Sequence, residues 1–536
     1  MGSIRLRVQN DLARAGWTGR AEERAPRTAG TGKRALVGMG PSAVGFRGVL
    51  GLSLGLGWGF APPKLAAEPV RLNVGTSSLA ESDGALELLS SEYGARMVRR
   101  LDRIHVSTVR IPRSALATIR QDRRLGRYAD FIEEDTSVSI PRTVGEARRV
   151  DSGDEPRDER IPNDPDYSKQ WGPKCLDLET AWEKVGFGMK PVTLAIIDTG
   201  ADVDHPDLDA HVDTFRDWDF VNDDDHADDD NGHGTHCAGI AAAETHNGIG
   251  GVGVLNGIIL PIKVLNAQGY GHGSDVAAAI LYAMENGASV ISMSLGGTYD
   301  SAMKRACDEA WNSGVLVFAA AGNHGTSEAN YPSSFTSVIG VGALESCSVV
   351  ASWSGRGFGN EKREGNVELV APGFEIYSSF MGGGYRVYSG TSMASPHAAG
   401  VGLGYRAVVP DWTAAEIRSH MQSHADPLGD PSLAGYGRVD PTPGSGGGNF
   451  CPTMEGRWSL DYEWDGTATI TFKADHTFVA GAYSGTWEQV GCDVNWLYTS
   501  GTYYWGTMTD EGRRMSGEME SWVGWVGTWD ATRDNP

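Results

Sequence analysis

A chain of 536 residues with a formal net charge of −23 is too long for one ordinary domain and too acidic to hold nucleic acid as its main partner, since phosphate contacts need a surplus of Lys and Arg. With 40% hydrophobic residues it has material for ordinary cores and reads as a soluble protein of several domains. None of the six cysteines (Cys175, Cys237, Cys307, Cys347, Cys451, Cys492) stands in a C-x-x-C pair, so neither a zinc knuckle nor a thioredoxin-type site is indicated.

Residues 1–67 read as a basic lead and signal peptide. Arginine is dense up to residue 47, and the apolar run Gly48–Ala61 is too short to span a bilayer but suits a signal core. The small residues of "KLAAEP" follow, with a cut expected after Ala67, and a start at Met39 would give the leader an ordinary length. This predicts export to an extracellular or periplasmic compartment, where some cysteines can be bridged. Cys451 and Cys492, close together in a short terminal section, are the best candidate pair.

In residues 69–141, "RIHVSTVRI" and "YADFIEEDTSVSI" alternate as strands do, and "PRSALATIRQDRRLG" reads as a helix opened by Pro112, together a small βαβ-type unit. Residues 142–162 are charged, lack an apolar period and read as an exposed linker. Residues 163–442 alternate short β-branched runs ("VTLAIID", "GIILPIKVL", "ASVISMSL", "GVLVFAAAG", "SVIGVGAL") with helical stretches closed by glycine. Strands apolar on both faces imply an α/β fold: a parallel sheet sandwiched by helices, with its ligand site at the carboxyl ends of the strands. A Gly-rich linker over 443–449 leads to residues 450–536, whose aromatic strands and Gly turns predict a small antiparallel barrel or sandwich.

Near residue 390 the sequence "YSGTSMASPHAAGVG" clears space around Ser392 at a helix start. A serine hydroxyl is a weak nucleophile without a base to take its proton. "VTLAIIDTG" offers Asp198 at the end of a buried strand, and "DNGHGTHCAG" offers His233 between two glycines at the start of another helix. His233, His236 and Cys237 also raise zinc, but a zinc protease helix needs H-E-x-x-H and the Glu is missing. Taken singly, Ser392 would be an ordinary helix cap and "DTG" an ordinary turn.

Jointly, "AIIDTGADVDHPDL", "NGHGTHCAGI", "MSLGG", "AAAGNHG" and "GTSMASPHAAG" resemble the motif set of the subtilisin-like serine proteases (subtilases), closest to the thermitase type, over about residues 163–440. The resemblance implies a seven-stranded parallel sheet and serine endopeptidase activity on proteins. Ser392 would attack the scissile carbonyl, His233 would carry the proton, Asp198 would fix the tautomer, and Asn323 would donate to the oxyanion. Ser294, Leu295 and Gly296 would pair with an extended substrate, and Asn330 would form the base of the first specificity pocket, beside a candidate cis bond at Tyr331–Pro332. A polar base of that size suggests broad preference.

His236 and Cys237 fall at core positions of the family. The acidic run "DWDFVNDDDHADDDNGHG" resembles the thermitase calcium loop, with Asp219, Asp224 and Asp228 as side-chain ligands and the His226 carbonyl beside them. A second calcium site is implied by Asp164 and Asp207, completed by the loop "AETHNGIGG", one residue shorter than in thermitase. Residues 69–141 stand where the family has its inhibitor and chaperone pro-domain, so a self-processing zymogen is expected, with its own pro-domain and polypeptide substrates as partners. A monomer without an integral membrane span is also expected. The competing class is a binding or adhesion protein that keeps the fold without turnover; the presence of Asp198, His233, Asn323 and Ser392 together favours the enzyme.

Overall fold

Runs of β-branched residues that are apolar on both faces can satisfy their backbones only inside a sheet whose two sides are covered. The computed structural model shows such a sheet; it describes residues 68–141, 162–185, 192–360, 362–442 and eight strands between 456 and 533. The expected leader, nearly all of the 142–162 linker and the Cys451–Cys492 pair lie outside the described residues.

The first section contains β1 (Val70–Thr76), α1 (Leu79–Tyr93), β2 (Arg96–Leu101), β3 (Val106–Ile111), the single turn α2 (Leu116–Ile119) and β4 (Ala129–Glu134). Its sheet runs β2-β3-β1-β4 with every neighbouring pair antiparallel. The βαβ reading is therefore half of the topology. β3 and β4 are joined through α2, but β1 is inserted between them, and a second crossover through α1 places β3 between β1 and β2. The strand β1 escaped recognition because it buries Asn73 and Thr76 among its apolar residues. The helix after Pro112 is shorter than its sequence suggests.

A short strand β5 (Ser137–Ser139) follows. The next section begins with α3 (Trp171–Cys175), α4 (Leu178–Val185) and β6 (Thr193–Asp198). Then come β7 (Trp218–Asp219), α5 (His233–Ala242), β8 (Ile258–Lys263), β9 (Tyr270–His272), α6 (Gly273–Glu285), β10 (Val290–Met293), β11 (Gly296–Gly297) and α7 (Ser301–Asn312). The section closes with β12 (Leu316–Ala320), β13 (Ile339–Ser346), β14 (Val349–Val350), β15 (Leu369–Pro372), the hairpin β16 (Ile376–Phe380) and β17 (Gly384–Tyr388), α8 (Thr391–Val408), α9 (Ala414–His424) and α10 (Pro431–Ala434). The central sheet has the order β14-β13-β12-β10-β6-β8-β7, with β15 also on β13; all pairs are parallel except β13–β14.

Side chains of β6 alternate between two cores. Leu194 and Ile196 pack with residues of α5 and α8, whereas Ala195 and Ile197 pack with residues of α6 and α7. The chain leaves β6 to one side for β7 and β8 and returns on the other for β10, β12 and β13. The carboxyl end of β6 is thus a topological switch point, the place where such sheets bind ligands.

A disulfide joins Cys175 at the end of α3 to Cys347 in the turn between β13 and β14, while Cys237 and Cys307 are buried and free. The terminal section is a closed antiparallel barrel of eight strands, β18 (Gly456–Tyr462), β19 (Gly466–Phe472), β20 (Thr477–Ala480), β21 (Tyr483–Val490), β22 (Asp493–Tyr498), β23 (Tyr503–Thr509), β24 (Arg514–Glu520) and β25 (Val526–Arg533). Pairing of β18 with β25 closes it, which decides for the barrel over the sandwich. Among the described residues no helix is long and apolar enough to cross a membrane.

One buried ion pair anchors α9. Arg418 and Glu368, each 1% exposed, meet through two hydrogen bonds, and Arg418 also donates to the carbonyl oxygens of Thr336 and Val338. Glu368→Ala should leave that guanidinium buried without its carboxylate and lower stability by about 3–5 kcal/mol. Urea unfolding in a Ser392→Ala background, which avoids self-digestion, measures this; a loss below about 1 kcal/mol would show that water repairs the site.

Candidate active site

Asp198 ends β6 and is completely buried. Its Oδ1 accepts from the Thr199 N–H at 2.7 Å and meets His233 Nδ1 at 2.7 Å, while Oδ2 has no hydrogen-bond partner. His233 opens α5 close to the strand end because Gly234 lets the two backbones touch: a Cβ there would lie 2.0 Å from the Gly200 carbonyl oxygen. Burial pushes the His233 imidazole toward its neutral form, but the Asp198 carboxylate and the Cys237 sulfur outweigh it, and the pKa ends well above the ordinary histidine value.

Ser392 is the second residue of α8 and is 1% exposed. Its Oγ donates to the Ser294 carbonyl at 3.3 Å, and His233 Nε2, buried, has no hydrogen-bond partner. The helix carries Pro396 four residues on, which has no N–H to give the Ser392 carbonyl. Ser294 Oγ supplies that bond at 2.7 Å, and Cys237 Sγ approaches the same oxygen at 3.4 Å. Sequence reasoning assigned Ser294 only to substrate pairing; the proline four residues past the serine was the readable sign that the Ser392 carbonyl needs another donor. Asn323 follows β12 and accepts on Oδ1 from the Thr391 N–H at 2.9 Å and Oγ1 at 2.8 Å. Its Nδ2 therefore faces the Gly390 turn, where an added Cβ would lie 3.1 Å away.

Beside this group β5 is the middle strand of an antiparallel sheet ordered β11-β5-β9. Ser139 pairs with Gly296 and Tyr270, and Val138 pairs with Gly297 and Gly271. β5 pairs with Gly296 and Gly297 of this edge, directly after Ser294, whose hydroxyl serves the Ser392 carbonyl, and Leu295, whose side chain is buried in the core. Asn330 packs against Gly296, where a Cβ would lie 2.3 Å from Asn330 Oδ1, and donates to the Ala320 carbonyl at 2.9 Å. The Tyr331–Pro332 bond is cis.

His236 and Cys237 are both buried. His236 Nε2 lies 3.1 Å from the carbonyl oxygens of Ile376 and Arg386, holding the β16–β17 hairpin, and burial lowers its pKa to about 3. Cys237 Sγ lies 3.9 Å from His233 Nδ1, closer to the chemistry than a core position suggests.

The two groups of expected cation ligands differ. In the acidic run, Asp219 Oδ1 accepts from the N–H groups of Val221 and Asn222 and Oδ2 from the Asn222 amide, while Asp224 accepts from the His226 N–H. Asp228 is exposed, and among the described residues only Asp198, His233 and Cys237 bring three His, Cys or carboxylate atoms within 4.8 Å of one another. Asp219, Asp224 and Asp228 therefore do not converge as a three-carboxylate cage. Asp164 and Asp207 do share a site. Asp164 accepts from the N–H groups of His246 and Asn247, and Asp207 from the Asn247 amide and the Gly251 N–H, all in the loop after α5. Burial, with Asp164 adding repulsion, pushes the Asp207 carboxyl up to about 8, and Asn163 Oδ1 is buried without a hydrogen bond. Buried oxygen donors with unrelieved negative charge fit a hard cation such as calcium.

Comparison with known proteins agrees with this geometry. The subtilase family model matches residues 189–437. The chain is 42% identical over 283 residues to the thermophilic serine proteinase of Bacillus sp. (strain AK1), covering 52% of this chain and 68% of that protein. It is 38% identical over 262 residues to subtilisin E of Bacillus subtilis (strain 168), covering 48% of this chain and 66% of that protein. Thermitase of Thermoactinomyces vulgaris is matched at 41% identity over 285 residues, 52% of this chain and 97% of thermitase. With almost the whole of thermitase aligned onto the section that holds Asp198, His233 and Ser392, the chain belongs to the subtilase family and is a subtilisin-like serine endopeptidase.

Proposed function

We propose that the chain is an exported, calcium-binding endopeptidase of broad specificity, made as a self-processing zymogen, with Asp198, His233 and Ser392 as its catalytic triad. The observation that carries this reading is the buried 2.7 Å Asp198–His233 bond, with Nε2 left unpartnered, together with Ser392 in the first turn of α8.

Ser392 Oγ turns from the Ser294 carbonyl to His233 Nε2, which takes its proton as the oxygen attacks the scissile carbonyl. The new oxyanion receives the Asn323 amide and the N-terminal N–H groups of α8. His233 returns the proton to the leaving amine, the amide bond breaks, and water repeats the cycle on the acyl-enzyme. Throughout, Asp198 holds the Nδ1 proton in place. The substrate is an extended peptide; β5 stands in for it, lying between β11 and β9 as an added strand. Ser294, Leu295 and Gly296 offer it their backbone, and Asn330 forms the base of the first specificity pocket.

The same strand supports the zymogen reading. The section 69–141 ends with its own chain in the cleft, so a scissile bond beyond it is presented at very high effective concentration. Export rests on the basic, then apolar, then small-residue order of residues 1–67. Calcium is proposed at Asp164 and Asp207, which would hold it with the loop after α5. Asp219, Asp224 and Asp228 are proposed to bind a second ion through the loop's carbonyls together with their carboxylates. The ions would supply countercharge and rigidity.

Ser392→Ala should fold, fail to hydrolyse casein, escape labelling by a fluorophosphonate and keep its pro-segment, while wild type cuts itself between about Ser139 and Asn163. Intact mass and N-terminal sequencing of both proteins check this; equal processing would reject self-cleavage, and equal hydrolysis would favour the alternative of a fold kept for binding. The pH profile follows from His233, which accepts a proton only when neutral. Because its pKa is raised, kcat/KM should fall with decreasing pH through a midpoint above about 6.5, and a midpoint below about 6 would contradict the Asp198 pairing. Saturating calcium should raise the melting temperature by several degrees over chelator, and Asp207→Asn should remove part of that rise. Identical melting in both conditions would reject a calcium role.

A further inference from the structure

Helix α5 has no cap of its own. Its N-cap is Gly232, at φ 100, and a Cβ there would lie 2.2 Å from the Phe380 ring, so no capping side chain is tolerated at that position. The helix nevertheless carries His233 as its first residue and must hold it still.

We infer that Asp229 is the positioning residue that fixes the Asp198–His233 pair, an inference that rests on the triad reading above. Its Oδ1 accepts from Thr199 Oγ1 at 2.8 Å and from the N–H groups of Asn231 at 3.0 Å and Gly232 at 2.9 Å. Its Oδ2 accepts from the Thr235 N–H at 2.9 Å and Thr235 Oγ1 at 2.6 Å. One carboxylate thus grips the residue after Asp198 and both sides of His233. Thr199 Oγ1 closes the link by accepting from the Gly234 N–H at 2.9 Å. The next residue repeats the connection: Lys263 Nζ, buried, donates at 2.7 Å to Asp230 Oδ1, the Thr199 carbonyl and the Leu265 carbonyl.

Both Asp229 oxygens face donors, so only an acceptor on each will do, and a carboxylate supplies two. The negative charge also sits at the amino end of α5, where the helix dipole favours it. Asp229→Asn keeps the shape but turns an NH2 toward donors. The clamp then opens, and an error of about 1 Å in His233 costs about 100-fold in turnover. Substrate pairing along β11 and β9 does not involve this clamp, so KM should hold.

The experiment uses the processed enzyme, with active sites counted by a fluorophosphonate, and compares kcat, KM and melting temperature on one peptide substrate. Asp229→Asn is expected to lower kcat about 10- to 100-fold with KM within about threefold of wild type. Thr199→Val, which removes the hydroxyl between the two halves, should lose kcat likewise, and Thr199→Ser, which keeps it, should stay within about threefold of wild type. If Asp229→Asn melts lower yet keeps kcat within about twofold, Asp229 is a helix cap only and the inference is overturned. It is equally overturned if Thr199→Ser is as damaged as Thr199→Val, a comparison that decides the matter even where Asp229 variants fail to fold. Turnover that survives Ser392→Ala would overturn the triad reading, and this inference with it; the outcomes above, with Ser392→Ala inactive, overturn the inference alone.

Discussion

The hydrogen bond between Asp198 and His233 joins two buried side chains that are 35 positions apart in sequence, and the rest of the site is arranged around keeping it at 2.7 Å. In a dry environment the neutral imidazole is strongly favoured over the charged one. His236 and His397, equally enclosed and facing carbonyl oxygens rather than a carboxylate, are driven to about 3 and about 4. His233 alone moves the other way, because Asp198 lies against it. A single carboxylate at the end of β6 separates a base from two structural histidines.

That arrangement demands a strand end, a helix start and a second helix start at one point, which a parallel sheet provides at its switch point. The cost appears in the backbone. Gly234 removes a side chain so that α5 can approach the end of β6, Gly232 removes one that would strike Phe380 of β16, and the missing cap must come from elsewhere. Pro396 deprives the Ser392 carbonyl of its helical partner, and Ser294 replaces it. In both cases a rule of helix formation is broken next to the chemistry and repaired by a side chain from another part of the chain.

This pattern explains what could be read beforehand. The five core strands, from "VTLAIID" to "SVIGVGAL", declare themselves because both faces are buried. The residues of the Asp–His–Ser constellation were legible because each sits in a motif whose small neighbours have no other purpose. The first strand of the amino-terminal section was not legible, since it buries Asn73, which accepts from Thr108 on the neighbouring strand and donates to Asp300, and Thr76, which donates to the Ser78 carbonyl just beyond it. The Cys175–Cys347 bridge spans 172 residues, beyond any local signal. Asp229 was hidden among neighbouring aspartates, and only the lack of a capping side chain at Gly232 hinted that one of them had a structural duty. In the acidic run Asp219 accepts from the N–H groups of its own turn, a local role that a row of aspartates does not reveal.

The amino-terminal section extends the same chemistry across the cleft. Asp135 accepts from the Ser274 N–H at 2.9 Å and hydroxyl at 2.7 Å, and Glu133 accepts from the Ser301 N–H at 2.7 Å and hydroxyl at 2.9 Å. These are the first turns of α6 and α7, the helices that follow the two edge strands β9 and β11. Two carboxylates from one short segment thus cap both helices while β5, just beyond them, fills the space between the strands. The donors at the first turns of α6 and α7 are thus satisfied by the segment that leads into β5. Cutting the chain beyond residue 141 breaks none of these bonds. If the chain is cut there, as the zymogen proposal requires, they become intermolecular, and their strength sets how long β5 stays between β11 and β9.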